Sequence, residues 1–143
     1  MLFKRVSRSS PEVIKMVVYN AHGASITAGY AVCFDTGASA DGIRVTKCKT
    51  SSLSAFAGVV DSDIANGAYG LVQVYGYRAS TYVSRSTVGT SVTQRLLATE
   101  NDSWGLQTRG DSATATGFGF TCEDVTSSAS ASYTTAKAFI RAL

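Results

Sequence analysis

A single histidine in 143 residues, His22, leaves almost no room for histidine-based chemistry. A zinc site needs three or four N, S or O ligands, and no second ligand lies at useful spacing from it. Its position just before Gly23 marks it as a turn residue. Cysteine is scarce as well, and Cys33, Cys48 and Cys122 are odd in number with no CxxC spacing. That set fits small, buried, reduced thiols in a cytoplasmically assembled protein better than a secreted disulfide framework. Charge is thin: 16% of residues, where an average globular domain has about 25%. A surface so weakly charged suits a protein packed against neighbours. No stretch approaches the roughly 20 apolar residues of a membrane span. Lys4, Arg5 and Arg8 are not followed by an apolar run of signal-peptide length, so a soluble chain without an export signal is expected. The net charge of +3 comes with no dense basic block, which gives no indication of a nucleic-acid groove.

What the chain does have is Ser, Thr, Ala, Val and 13 glycines, a composition for short strands joined by tight turns. Residues 1–11 stand apart as a basic, Ser-rich arm ending at Pro11, and residues 12–143 are read as one domain. Residues 10–23 admit a helix with Ser10 as cap, but Val13, Ile14, Val17, Val18 and Tyr19 lose rotamer freedom in helices and favour a strand. Both alternating sets there are apolar, as in a strand covered on both faces. Strands follow at 30–35, 43–49, 55–60 and 71–77, separated by Gly-containing turns such as Asn66-Gly67. In 71–77, Leu71, Gln73, Tyr75 and Tyr77 face one way and Val72, Val74 and Gly76 the other; 81–84 continues that ladder after a bulge. Residues 91–99 carry strand-forming side chains, 100–110 reads as a loop around Trp104, and 118–122 and 136–143 read as the last strands. The Ser/Thr/Ala stretch 126–135 is expected to be an ordered loop. Turn signals every 8–12 residues predict an all-β fold, a small antiparallel sandwich or barrel.

Candidate chemistry is sparse. Gly110-Asp111-Ser112 has no helix signal after it, as a hydrolase nucleophile elbow requires, and reads as a polar turn. Asp61-Ser62-Asp63 and Glu123-Asp124 follow strands, where carboxylates end ladders or make Asx-turns. No cofactor is indicated and the chain is not expected to be an enzyme. Tyrosine is more suggestive: Tyr69, Tyr75, Tyr77 and Tyr82 fall in one hairpin region with Arg78 and Arg85. Such residues are enriched in protein interfaces, stack on sugars, or simply cover a face of their own domain.

Several segments line up with a known family. Tyr19-Asn20-Ala21-His22-Gly23-Ala24-Ser25-Ile26-Thr27-Ala28-Gly29-Tyr30-Ala31-Val32 resembles the N-x-x-G-x-x-I-x-x-G-x-x-V opening of bacteriophage capsid cement (head decoration) proteins. Ala55-Phe56-Ala57-Gly58-Val59-Val60 is similar to a later strand of that family, and residues 65–76 resemble its A-x-G-x-x-G-x-V-x-V-x-G hairpin. Thr87-Val88-Gly89-Thr90-Ser91-Val92 and residues 136–143 are similar to its later turn and closing strand. The family has no catalytic residues to carry over. The resemblance implies a homotrimer on the outer capsid surface of the virion, bound to the major capsid protein and bridging capsomers. On this reading Lys4, Arg5, Arg8 and the tyrosine region (Tyr69, Tyr75, Tyr77, Arg78, Tyr82) are the candidate protein contacts, with no membrane or direct nucleic-acid partner. The alternative is a tail, baseplate or fibre-tip module that binds a receptor or glycan.

Overall fold

The computed structural model describes residues 12–37, 39–85, 96–109, 117–125 and 133–142. The expected arm at 1–11, the motif at 87–92, the Gly110-Asp111-Ser112 turn and residues 126–132 lie outside them. Among these residues nine strands form one mixed sheet: β1 (Ile14–Asn20), β2 (Ala31–Phe34), β3 (Arg44–Thr46), β4 (Phe56–Val60), β5 (Tyr69–Arg85), β6 (Leu96–Thr99), β7 (Leu106–Arg109), β8 (Gly119–Thr121) and β9 (Thr134–Arg141). The only helix among the described residues is a single 3-10 turn, Thr50–Ser52.

The architecture follows from β5, a 17-residue strand whose two halves pair with different neighbours. Its first half lies between β1 and β4, with Tyr19 opposite Tyr69 and Val60 opposite Val72. Its second half lies between β9 and β7, with Tyr77 opposite Phe139 and Val83 beside Leu106. The pairings therefore close into two rings that share β5, β1-β3-β2-β4-β5 and β5-β7-β6-β8-β9. Closure removes the open edges that invite strand addition. The all-β class is as expected, but the sheet is not purely antiparallel: β1 with β3 and β5 with β7 run parallel. The tyrosines lie along one long strand, not in a hairpin. The segment read as a loop around Trp104 contains β7, whose parallel partner is more than 20 residues away and leaves no local signature. β9 likewise begins at Thr134, inside the stretch read as loop.

Each ring encloses its own core. Val18, Ile26, Val32, Val45, Ala57, Val60, Ile64, Val72 and Val74 fill the first. Ala31, Phe56, Val59, Val83, Leu97, Leu106, Val125, Ala136, Ala138 and Ile140 fill the second. β4 feeds both. A bulge opposite Val32 and Cys33 breaks its period, so Phe56 and Val59 enter one core while Ala57 and Val60 enter the other. Gly58 sits in that bulge at φ +145°, where an added Cβ would lie 2.6 Å from the Gln73 carbonyl oxygen. Only glycine fits.

Two buried amides organise the first ring. Asn20, fully buried, places Nδ2 within 2.8–3.1 Å of the carbonyls of Ala24, Ile64 and Ala65, and its Oδ1 accepts the His22 amide. Gln73 places Nε2 within 3.0–3.3 Å of the carbonyls of Tyr75, Gly76 and Tyr77, where β5 turns from one ring to the other. The N-x-x-G-x-x-I-x-x-G-x-x-V spacing has a physical content here. Asn20 ties down the loop, Gly23 and Gly29 take positive φ, and Ile26 and Val32 are core. The same ring carries a disulfide between Cys33 and Cys48. This corrects the expectation of three reduced, buried thiols: two are buried and joined, and Cys122 is exposed and free. β2 and β3 are antiparallel neighbours, which places Cys33 opposite Thr46 and so near Cys48.

Candidate functional site

Strand alternation puts every second side chain on the outer surface of each ring, and in two places those side chains are apolar. On the first ring, Val17 lies directly opposite Leu71 and Tyr19 opposite Tyr69, with Ile43 next to the β1–β3 junction. Val17 is 56% and Tyr69 66% exposed. β1 is therefore covered on one face only, contrary to the expectation of burial on both. Arg44 lies over the Tyr19 ring, its guanidinium carbon 5.2 Å from the centroid, and is held there by Asp41 at 3.1 Å.

On the second ring, four apolar side chains form a row across four strands: Tyr77 opposite Phe139, Phe139 opposite Phe120, and Phe120 opposite Leu96. Phe120 and Phe139 stack with centroids 5.3 Å apart, and Tyr75 meets Phe139 edge-on at 5.1 Å. Strand spacing makes the row about 14 Å long. Phe120 is 44% exposed, and Tyr77 and Leu96 are also exposed. Contiguous exposed apolar surface of this kind marks a contact site more often than isolated side chains do. Lys137 and Arg141 flank Phe139 along β9. Lys137 is paired with Glu123 at 3.1 Å; Arg141 has no ion-pair partner among the described residues.

The five described candidates from the sequence do not converge. Tyr69 belongs to the first face, Tyr75 and Tyr77 to the second. Tyr82 packs edge-on against Tyr30 in a half-buried stack of rings that continues to Trp104 and His22, with the Lys47 ammonium 5.7 Å from the Trp104 centroid. Burial, then the nearby Lys47 and Lys49, holds the His22 imidazole below its ordinary pKa. Arg78 faces inward: it donates to the carbonyls of Val60 (2.7 Å) and Ser80 (2.8 Å) and approaches Asp61 at 3.4 Å. It supports the β5 bulge beside Thr81. Lys4, Arg5 and Arg8 lie outside the described residues. Sequence reasoning missed Val17, Ile43, Phe120, Phe139 and Arg141; their alternation with buried neighbours was visible, but not which face stays open.

Three carboxylates of the acidic pairs make structural contacts. Asp61 bonds Lys15 at 2.7 Å, which holds its carboxyl below the usual range, and Asp63 accepts the Ala28 amide. Glu123 accepts the Lys137 amide. Among the described residues no three His, Cys, Asp or Glu side chains are grouped to hold a metal ion.

No protein-family model matches the chain, and no curated protein does. Among solved structures it is similar to the head fiber gp8.5 N base in bacteriophage phi29, with a TM-score of 0.53 and 15% identity over 92% of this chain and 96% of that one. At that identity the likeness is one of fold.

Proposed function

We propose that this chain is a structural protein of a bacteriophage virion, a cement protein that docks on the outer surface of the head and stabilises it by bridging capsomers. The observation that carries the reading is the fold shared, nearly end to end of both chains, with a protein named as a head fiber base. The two outward apolar faces, one on each ring, support bridging, since a linker needs at least two contact surfaces. The role is one of fit, without a catalytic step: the lone histidine packs against Trp104, and Asp61, Asp63 and Glu123 are engaged by a lysine and by backbone amides. Bound to the major capsid protein as a homotrimer, the chain adds its binding energy only to the assembled shell, so occupancy and shell stability rise together.

A second reading, the base of a head fibre, is favoured by the neighbour's name. Imaging of native particles separates the two. Cement predicts compact density at many copies over the head, and particles lacking the chain that open at lower temperature. A fibre base predicts density continuing outward from each site. Density confined to the tail would overturn both.

A further inference from the structure

We propose that the Cys33–Cys48 disulfide is a redox latch: it closes a clasp by which a loop of the second ring grips the first, and reduction opens that clasp before the fold is lost. This device is independent of the virion reading.

The clasp is the loop Asn101–Trp104, which follows β6 and lies against two pieces of the first ring. One piece is Lys47–Thr50, just past the end of β3. There the Cys48 carbonyl accepts the Asp102 amide at 2.9 Å, and Cys48 and Ser103 form an isolated antiparallel bridge. The Thr50 amide donates to Asn101 Oδ1 at 2.8 Å, and Lys47 pairs with Asp102 at 3.0 Å. The other piece is the start of β2, where the Ala31 amide donates to the Trp104 carbonyl at 2.8 Å and the Trp104 ring stacks on Tyr30.

The disulfide ties these two pieces to each other, since Cys33 lies in β2 and Cys48 in the segment beyond the β3 ladder. Opening the bond removes the covalent tie within the platform that the loop grips. The dependence also runs the other way. Cys33 and Cys48 are 0% and 1% exposed, so a reductant reaches them only when their cover lifts, and the loop bridged to Cys48 is part of that cover. By linkage, a closed clasp favours the oxidised pair as much as the oxidised pair favours a closed clasp. A small dithiol supplies the two electrons for reduction. One of its thiolates attacks a cysteine sulfur and expels the other as a thiolate, which takes up a proton. Its second thiol then displaces the first cysteine, leaving two protein thiols and an oxidised, cyclic reductant. In oxidising surroundings the reverse exchange, with a small-molecule disulfide as electron acceptor, closes the bond and the clasp.

Trp104 is the only tryptophan, so its fluorescence reports the clasp. The full chain is titrated with dithiothreitol while thiol counting follows the bond: Cys122 alone before reduction, all three cysteines after. Reduction is expected to shift Trp104 emission to the red and to speed hydrogen exchange of the Ala31, Thr50 and Asp102 amides by roughly tenfold or more, while β8 and β9 change by less than about threefold and far-UV circular dichroism is kept. Cys33→Ser combined with Cys48→Ser should reproduce these changes without reductant; if that variant does not fold, reduction of the wild type still decides. In the reverse direction, Asp102→Pro opens an exposed loop at a φ of +52° that proline cannot adopt, and the disulfide should then be reduced roughly tenfold faster than in the wild type. The latch is overturned if Trp104 and those amides do not respond to a bond shown open by thiol counting. It is equally overturned if exchange rises alike in both rings, or if Asp102→Pro is reduced at the wild-type rate.

Discussion

The two rings share β5 yet are held together differently. The first is a cage of small β-branched side chains tied by a few specific devices: the Asn20 and Gln73 amides that gather backbone carbonyls, and the Cys33–Cys48 disulfide. The second has larger apolar side chains, Leu97, Leu106 and Ile140 among them, and no disulfide among its described residues. It even tolerates a flaw, the buried Thr81 hydroxyl, which has no hydrogen-bond partner among the described residues. Stability in the first ring is concentrated at a few positions, while in the second it is spread over area. A ring held by spread-out packing can turn a row of aromatics outward without losing its own anchors.

The largest expected effect comes from Asn20→Ala. It removes one partner each from three carbonyls and from the His22 amide and empties a fully buried site, and the expected loss is about 4 kcal/mol in urea unfolding. A loss below about 1 kcal/mol would erase the contrast between the rings. Replacing Cys33 and Cys48 together by alanine opens a loop with a sequence separation of 15. Chain entropy puts that at about 3 kcal/mol, readable as a lower unfolding temperature that reductant no longer changes. Thr81→Val probes the second ring and runs the other way. Removing an unpartnered buried hydroxyl at constant shape should raise stability by about 1 kcal/mol, and a loss would mean that the hydroxyl serves the bulge.

The smallest effect is that of pH on His22. Its folded pKa lies below the ordinary 6.5, so the unfolded chain takes up the proton first. Stability is therefore unaffected above about pH 7 and falls as pH drops through 6.5 towards the folded value. His22→Phe, which keeps a ring against Trp104, should flatten the slope between pH 7 and 5. Asp61 and Asp102, held low by Lys15 and Lys47, contribute in a separate window, as pH falls below their ordinary 3.8. A wild-type curve that is flat from pH 7 to 5 would remove His22 from the account.

Much of the fold is legible in the residues. The alternation of Val72 and Val74 with Leu71 and Tyr77 predicts β5, and the extra register step before Thr81 is the bulge expected there. Gly23, Gly29, Gly67 and Gly76 all take positive φ. The contact surface was far less legible. Tyr69, Tyr75, Tyr77 and Tyr82 are neighbours in sequence, but a strand rises about 3.3 Å per residue, so the same strand carries them to different places. Phe120 and Phe139 come from different strands, and nothing near either one announces the other.

The sequence by itself determined that this is an all-β chain, where most of its strands and turns lie, and that each strand has two faces. These are local properties, set by side-chain branching, a period of two and the φ preferences of glycine. Tertiary structure alone decided that the sheet closes into two rings, that Cys33 meets Cys48, that Asn20 and Gln73 become buried hubs, and which apolar faces remain open. Those outcomes depend on pairings such as β1 with β5, which join residues some fifty positions apart. A period of two declares that a strand has two faces, but only its neighbours decide which of them water can reach.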